Sequence, residues 1–245
     1  MDEARVRATL SIHLAAVRER IARAAGRAGR DPSGVRLVAI TKTAPPDLAA
    51  ALVGLGVEDL GESRVQRLET VAAALEGRGL RPRWHMVGHL QRNKARACLN
   101  RASALHSLDS ERLLEALAVE IEAGRGPSRL QVFVEVNVGG EPQKGGVGEA
   151  ELFPLLARLG ARAAVLEPLG LMTMAPAAGD KAAVDRLARP VFRRLRELLE
   201  EARARVPGLA PFDRLSMGMS GDLEIAVEEG ATDVRVGSAL FTGLL

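Results

Sequence analysis

The chain has 245 residues, 47% of them hydrophobic and 27% charged, with a formal net charge of +3. That balance is too apolar for a disordered chain and long enough to bury a substantial core. Aromatic residues make up only 2%, with no Tyr, and arginines alternate with acids from Arg189 to Arg205, so the chain offers neither stacking platforms nor a basic stripe for nucleic acid.

The single Cys98 has no internal disulfide partner and fits a reducing compartment, and no Cys or His cluster has metal-ligand spacing. Met1-Asp2-Glu3-Ala4-Arg5 lacks the apolar core of a signal peptide, and no stretch is apolar for long enough to span a bilayer. A cytoplasmic monomer with no metal, membrane or nucleic-acid partner is expected.

Residues 2 to 27 place Val6, Leu10, Leu14, Val17 and Ile21 at three- and four-residue intervals among Arg and Glu, the spacing of an amphipathic helix. Gly26 and then Asp31-Pro32-Ser33-Gly34 end it. Short apolar runs then alternate with helical patterns. The runs predict strands at Arg36 to Ile40, Asp59 to Leu60, Trp84 to Val87, Ala104 to Ser107, Leu130 to Val138, Pro168 to Met172, Arg214 to Ser216 and Asp233 to Val236. Between them the spacing predicts helices at Pro46 to Leu55, Arg64 to Leu75, Asn93 to Leu99, Ser110 to Ala123, Gly148 to Leu159, Lys181 to Arg205 and Asp222 to Glu229. Pro190 falls inside the longest of these and is expected to kink or split it.

Eight strand–helix units in roughly 210 residues predict an α/β fold, a single (β/α)8 TIM-type barrel with an extra N-terminal helix. No Gly-x-Gly-x-x-Gly follows the first strand, which disfavours a dinucleotide fold. No linker or composition shift marks a second domain, so one domain over residues 1–245 is expected.

In such a barrel the C-terminal ends of the strands form the active face, and the loops after strands seven and eight commonly hold a phosphate. Here they read Ser216-Met217-Gly218-Met219-Ser220-Gly221-Asp222, with Asp222 placed to cap a helix, and Arg235-Val236-Gly237-Ser238, opening a last helical turn toward Phe241. Glycines let the backbone approach an anion, hydroxyls donate to its oxygens, and helix N-terminal amides add favourable dipoles.

Lys42 follows the first strand, beside the eighth once the barrel closes, and is one of four lysines in a chain with thirty arginines. Where Arg supplies nearly all the positive charge, a Lys at a strand mouth is a Schiff-base candidate, because Arg cannot act as a neutral amine. A ligand that meets both this amine and a phosphate cup carries a phosphate and an aldehyde or ketone. Pyridoxal phosphate satisfies both. For the amine to attack near neutrality its ordinary pKa of ~10.4 must be lowered by burial or a nearby cation, and Arg235 is placed to supply part of that field. Facing the pyridine nitrogen, Arg235 would keep it unprotonated and the ring a poor electron sink.

Other residues are read more locally. Lys144, after the fifth strand, is either a second amine that relays the aldehyde outward or an exposed loop lysine. His85, near the end of the third strand, either lines the ring or is a hydrogen-bonded core histidine. Lys94 is expected to be solvated, His13 and His106 to be structural, and Cys98 to be a small buried filler.

Taken together, Thr41-Lys42-Thr43, Gly61-Glu62-Ser63-Arg64-Val65-Gln66, Trp84-His85-Met86-Val87-Gly88-His89-Leu90-Gln91-Arg92-Asn93-Lys94, Gly170-Leu171-Met172, Ser216-Met217-Gly218-Met219-Ser220 and Arg235-Val236-Gly237 resemble the pyridoxal-phosphate homeostasis protein family, also called YggS/PROSC-like. The resemblance covers nearly the whole chain. It implies the barrel of alanine racemase without that enzyme's second domain, covalent binding of pyridoxal 5'-phosphate and no established catalytic activity. Under it Lys42 is the Schiff-base residue, Ser220, Gly237 and Ser238 contact the phosphate, and Arg235 meets the ring nitrogen. Ser63, His85 and Met217 join them as expected cofactor contacts. The chain departs from the family pattern at Ser63-Arg64, where Asn-Tyr is usual, at His89, where Pro is usual, and at Ala44, where a second Lys is common.

Racemisation needs proton donors on both faces of the cofactor, and alanine racemase supplies one as a Tyr that this chain does not contain. Reversible holding and delivery of the cofactor to apo-enzymes is therefore the expected role. The alternatives are a weak racemase and, less favoured, a Schiff-base aldolase on a phosphorylated substrate, for which Glu62 and Glu135 are the acid candidates.

Overall fold

The computed structural model describes residues 3–141, 144–176, 179–209 and 211–245, with Lys181 described in its backbone alone. Met1 and Asp2 of the expected leading helix, and Pro142 and Gln143 beside Lys144, lie outside the described residues. Eight parallel strands follow one another in chain order and close into a barrel: β1 (Arg36–Ile40), β2 (Asp59–Glu62), β3 (Arg83–Met86), β4 (Ala104–Leu108), β5 (Leu130–Glu135), β6 (Leu166–Met172), β7 (Arg214–Ser216) and β8 (Asp233–Val236). Closure is made by β8 against β1, with Val38 level with Arg235 and Ala39 with Val236.

A helix follows each strand: α2 (Pro46–Gly54), α3 (Val65–Glu76), α4 (Ala95–Leu99), α5 (Glu111–Glu122), α6 (Glu149–Ala161), α7 (Lys181–Arg205), α8 (Leu223–Glu228) and α9 (Ser238–Phe241). With the preceding helix α1 (Glu3–Arg27), this is the expected (β/α)8 TIM-type barrel with an extra N-terminal helix. Helix α1 buries Leu10, Leu14, Val17 and Ile21 against its neighbours and is tied to α8 by Arg20–Glu224 and Arg27–Glu228 pairs. Helix α5 shows the local logic. Ser110 accepts a hydrogen bond from the Leu113 backbone N–H, and Leu113, Leu114, Leu117 and Ile121 form one buried stripe, each leucine stabilising the fold by about 1.5–3 kcal/mol.

Side chains alternate across each strand, and this parity divides the interior. Leu60, Trp84, Met86, Leu215, Val234 and Val236 join the large core between barrel and helices. Their neighbours of opposite parity face the lumen, where Phe133, Leu169 and Met172 form a separate apolar cluster. Asp59, His85, His106, Ser216 and Arg235 share the lumen and are all buried.

Several boundaries differ from expectation. Strand β2 continues to Glu62 because Gly61 pairs with Ile40 and His85, and Glu62 with Met86; a Cβ on Gly61 would fall 2.6 Å from Ile40 Cδ1. Strand β5 stops at Glu135, since the Asn137 N–H turns away to the Val147 carbonyl. Helix α7 is not split at Pro190. The carbonyl that Pro190 leaves without a helical donor belongs to Arg186, and both residues are exposed, so the helix carries the loss on its solvent side.

Candidate functional site

Lys42 stands two residues beyond β1, exposed in a turn, and among the described residues its Nζ has no hydrogen bond or ion pair. The loop after β8 comes directly against this strand end. A Cβ on Gly237 would lie 3.2 Å from the Ile40 carbonyl oxygen, a tight contact that glycine relieves.

The loops after β7 and β8 are fastened to each other. The Arg235 backbone N–H donates to the Gly218 carbonyl at 2.9 Å, and the Ala239 N–H, in the first turn of α9, donates to the Ser220 hydroxyl at 3.3 Å. Gly218 adopts φ +91, and a side chain there would collide with Ala226 Cβ at 2.5 Å. Asp222 precedes α8 but does not cap it as expected; its Oδ1 accepts from the Met219 N–H at 2.5 Å and folds the loop instead. Ser238 is exposed and Met217 is fully buried at the base of the first loop. The Ser220 and Ser238 hydroxyls and the Gly237 backbone thus lie on two joined loops, one of which packs on the strand leading to Lys42, groups of a kind that suit a phosphate.

Arg235 is buried in the lumen, and burial lowers its pKa from the ordinary guanidinium value. Its Nη1 donates to Ser216 Oγ at 2.7 Å and its Nη2 to the Thr173 carbonyl at 3.0 Å, leaving further N–H groups free to face a ring nitrogen. His106 Nδ1 lies 2.7 Å from Ser216 Oγ, and His106 Nε2 lies 2.8 Å from His85 Nδ1. His85 Nε2 reaches Asp59 at 2.9 Å, so both ring nitrogens of His85 are engaged inside the protein. Arg83 grips Asp59 with two bonds of 2.8 Å, and Arg83 and His85 together hold that carboxyl well below the usual range despite its burial. His106 was expected to be structural; its position adjacent to Arg235 through Ser216 is the relationship that strand-by-strand reading missed. The signal available was its lumen-facing parity on β4.

The two acid candidates differ. Glu62 turns toward the helices, where Thr41 donates to it at 2.6 Å and Arg67 lies 3.6 Å away. Burial raises its pKa, and its Oε2 is buried with no hydrogen-bond partner. Glu135 has lumen parity; burial, with Asp109 nearby, pushes its carboxyl up to about 7 against the opposing pull of Arg235 and His89. Gly145 abuts that carboxylate, a Cβ there lying 3.4 Å from Oε1.

Ser63 is half-buried where β2 ends, and its carbonyl would lie 2.3 Å from a Cβ on Gly88. Lys144 is not an exposed loop residue: it is half-buried, paired with Glu141 and donating to the Met174 carbonyl at 3.2 Å. Lys94 is half-buried. Cys98 is fully buried, and burial pushes its thiol up to about 12. Among the described residues no group of acidic, His and Cys side chains is arranged to hold a metal, and no helix is long and apolar enough to cross a membrane.

A closed parallel barrel with a free amine after β1 and two interlocked glycine-and-hydroxyl loops after β7 and β8 defines an alanine-racemase-like barrel. The alanine racemase of Corynebacterium glutamicum shares that fold with a TM-score of 0.67, at 17% identity over 96% of this chain and 61% of that one. No family model matches the chain. The pyridoxal phosphate homeostasis protein of Aquifex aeolicus is 39% identical over 93% of this chain and 95% of its own. PipY of Synechococcus elongatus PCC7942, solved with pyridoxal phosphate bound, is 29% identical with a TM-score of 0.79, covering 95% of this chain and 99% of that one. The chain belongs to the pyridoxal phosphate homeostasis protein family.

Proposed function

We propose that this chain binds pyridoxal 5'-phosphate as a Schiff base on Lys42, holds it in reserve and passes it to apo forms of pyridoxal-phosphate enzymes, acting as a carrier and not a catalyst. The observation that carries this reading is the placement of Lys42, which makes no hydrogen bond or ion pair among the described residues, after a strand on which the Gly237 loop packs, with the Ser220 and Ser238 hydroxyls on the same pair of loops. The cofactor supplies an aldehyde that condenses reversibly with primary amines.

Ser220, Gly237 and Ser238 hold the phosphate, and Arg235 meets the ring nitrogen with a donor that keeps its proton. Ser63 lies where β2 opens to the mouth, while Met217 supports the first loop from the core and His85, with both ring nitrogens engaged, acts only through its hydrogen-bonded neighbours. An exposed amine favours exchange with solvent and with incoming amines, which suits release more than controlled proton transfer. The lack of any Tyr removes the second proton donor that racemisation uses. Of the two acid candidates for an aldolase, Glu62 turns outward to Thr41 and Arg67, leaving Glu135 as the one inward carboxylate of the pair.

Loaded protein mixed with an apo-enzyme tests the role. Activation faster than with an equal concentration of free cofactor supports delivery; activation no faster, or a protein that takes up no cofactor, rejects it.

A further inference from the structure

The five lumen side chains that link Arg235 to Asp59 impose a direction on one another. Asp59 is ionised, held so by Arg83, and accepts only, so His85 Nε2 carries a proton and donates to it. His106 is fully buried, and burial above all holds its pKa well below the ordinary value and its imidazole uncharged. It therefore has one proton to place between His85 on one side and Ser216 on the other.

Arg235 Nη1 already donates to Ser216 Oγ. Were His106 to donate to that oxygen as well, the Ser216 hydroxyl proton would need another acceptor, and among the described residues no other bond to Oγ is found. Every group is satisfied only if Ser216 donates to His106 Nδ1, His106 Nε2–H donates to His85 Nδ1, and His85 Nε2–H donates to Asp59. The links measure 2.7, 2.7, 2.8 and 2.9 Å from Arg235 to Asp59.

We infer that Arg235–Ser216–His106–His85–Asp59 is a one-way hydrogen-bond wire that fixes both histidine tautomers and the rotamer of Arg235, making Ser216 and His106 positioning residues for the ring that Arg235 faces. The inference about the ring rests on the proposed pyridoxal-phosphate site; the tautomers do not. The wire ties the mouth of the barrel to the ion pairs at the opposite end of its strands, where Asp59 is clamped by Arg83. In it Arg235 is pulled from two directions, by Ser216 and by the Thr173 carbonyl, so its plane is set before any ligand arrives.

Long-range proton–nitrogen correlation spectra of the cofactor-free, 15N-labelled full chain read the tautomers directly, and four histidines make assignment tractable. His85 and His106 should each carry one proton, on Nε2, at pH 7.5. His13 is an internal contrast: its Nδ1 lies 3.0 Å from the Leu240 carbonyl and must be the protonated nitrogen. A proton on His106 Nδ1, or two protons on His85, overturns the wire.

Ser216→Ala should move the His106 nitrogen shifts toward a tautomer mixture and weaken cofactor retention about tenfold, the usual loss for one charge-assisted hydrogen bond. Ser216→Thr, which keeps the hydroxyl, should restore both. Unmoved His106 shifts in Ser216→Ala, or the same loss in Ser216→Thr, contradict a positioning role. Nε2 tautomers in a protein that binds no pyridoxal phosphate would uphold the wire and overturn the function proposed above.

Discussion

Gly237 lies against the carbonyl of Ile40, with room for a Cβ only at 3.2 Å from that oxygen, and this contact seats the loop after β8 on the strand that leads to Lys42. The oxygen is backbone, and the next atoms a Cβ would meet are Ile40 Cβ at 3.4 Å and Cγ2 at 3.8 Å, so the strand end has to give by a few tenths of an ångström. Gly237→Ala is expected to push the loop off the strand end and weaken pyridoxal-phosphate retention by about 1–3 kcal/mol, the usual cost of overpacking. Equilibrium titration of the cofactor absorbance checks this; an unchanged dissociation constant separates the loop from the site.

Glu135 makes stability depend on pH with a definite sign. Its carboxyl titrates near 7 in the folded protein against an ordinary value of 4.5, so the folded state binds more protons than the unfolded chain between those values. Its contribution is fully present below about pH 4.5 and is lost as pH rises through 7, by up to about 3 kcal/mol. Glu135→Gln removes that slope. Urea unfolding of the cofactor-free proteins from pH 4.5 to 8 should show the variant gaining on the parent as pH rises, and parallel profiles would show that Glu135 is not held in this way.

A relay role for Lys144 has a kinetic test. It is tethered to Glu141 and the Met174 carbonyl at the mouth of the barrel, across the lumen from the strand that leads to Lys42. Lys144→Ala is expected to slow cofactor transfer to an apo-enzyme several-fold while the adduct at Lys42 still forms. Stopped-flow transfer kinetics decide it, and equal rates for parent and variant dismiss the relay.

The buried thiol of Cys98, pushed up to about 12, should resist alkylation in the native protein. Iodoacetamide is expected to label it only after denaturant is added. Rapid native labelling would mean that α4 opens far more readily than its packing implies.

The barrel was legible because parallel strands buried on both faces write themselves as short apolar runs, and all eight were found within a few residues. The misplacements have local causes. Gly61 and Glu62 do not look like strand residues, yet the first is small to admit Ile40 and the second is buried by pairing with Thr41 and Arg67. Pro190 does not split α7, one of its two expected effects, because the carbonyl it strands belongs to an exposed residue, which sequence does not say. The loops after β7 and β8 carried their glycines and hydroxyls openly. The link from His106 to Ser216 could not be read in this way, since it spans 110 residues and depends on two strands facing each other across the closed lumen.

Borohydride reduction of protein incubated with excess pyridoxal phosphate, followed by peptide mass spectrometry, tests the central claim most directly. With four lysines in the chain the outcome is unambiguous. The account predicts one reduced phosphopyridoxyl group on Lys42, lost in Lys42→Ala, with Lys94 and Lys181 unmodified. An unmodified Lys42, or an adduct carried chiefly by another lysine, would contradict it.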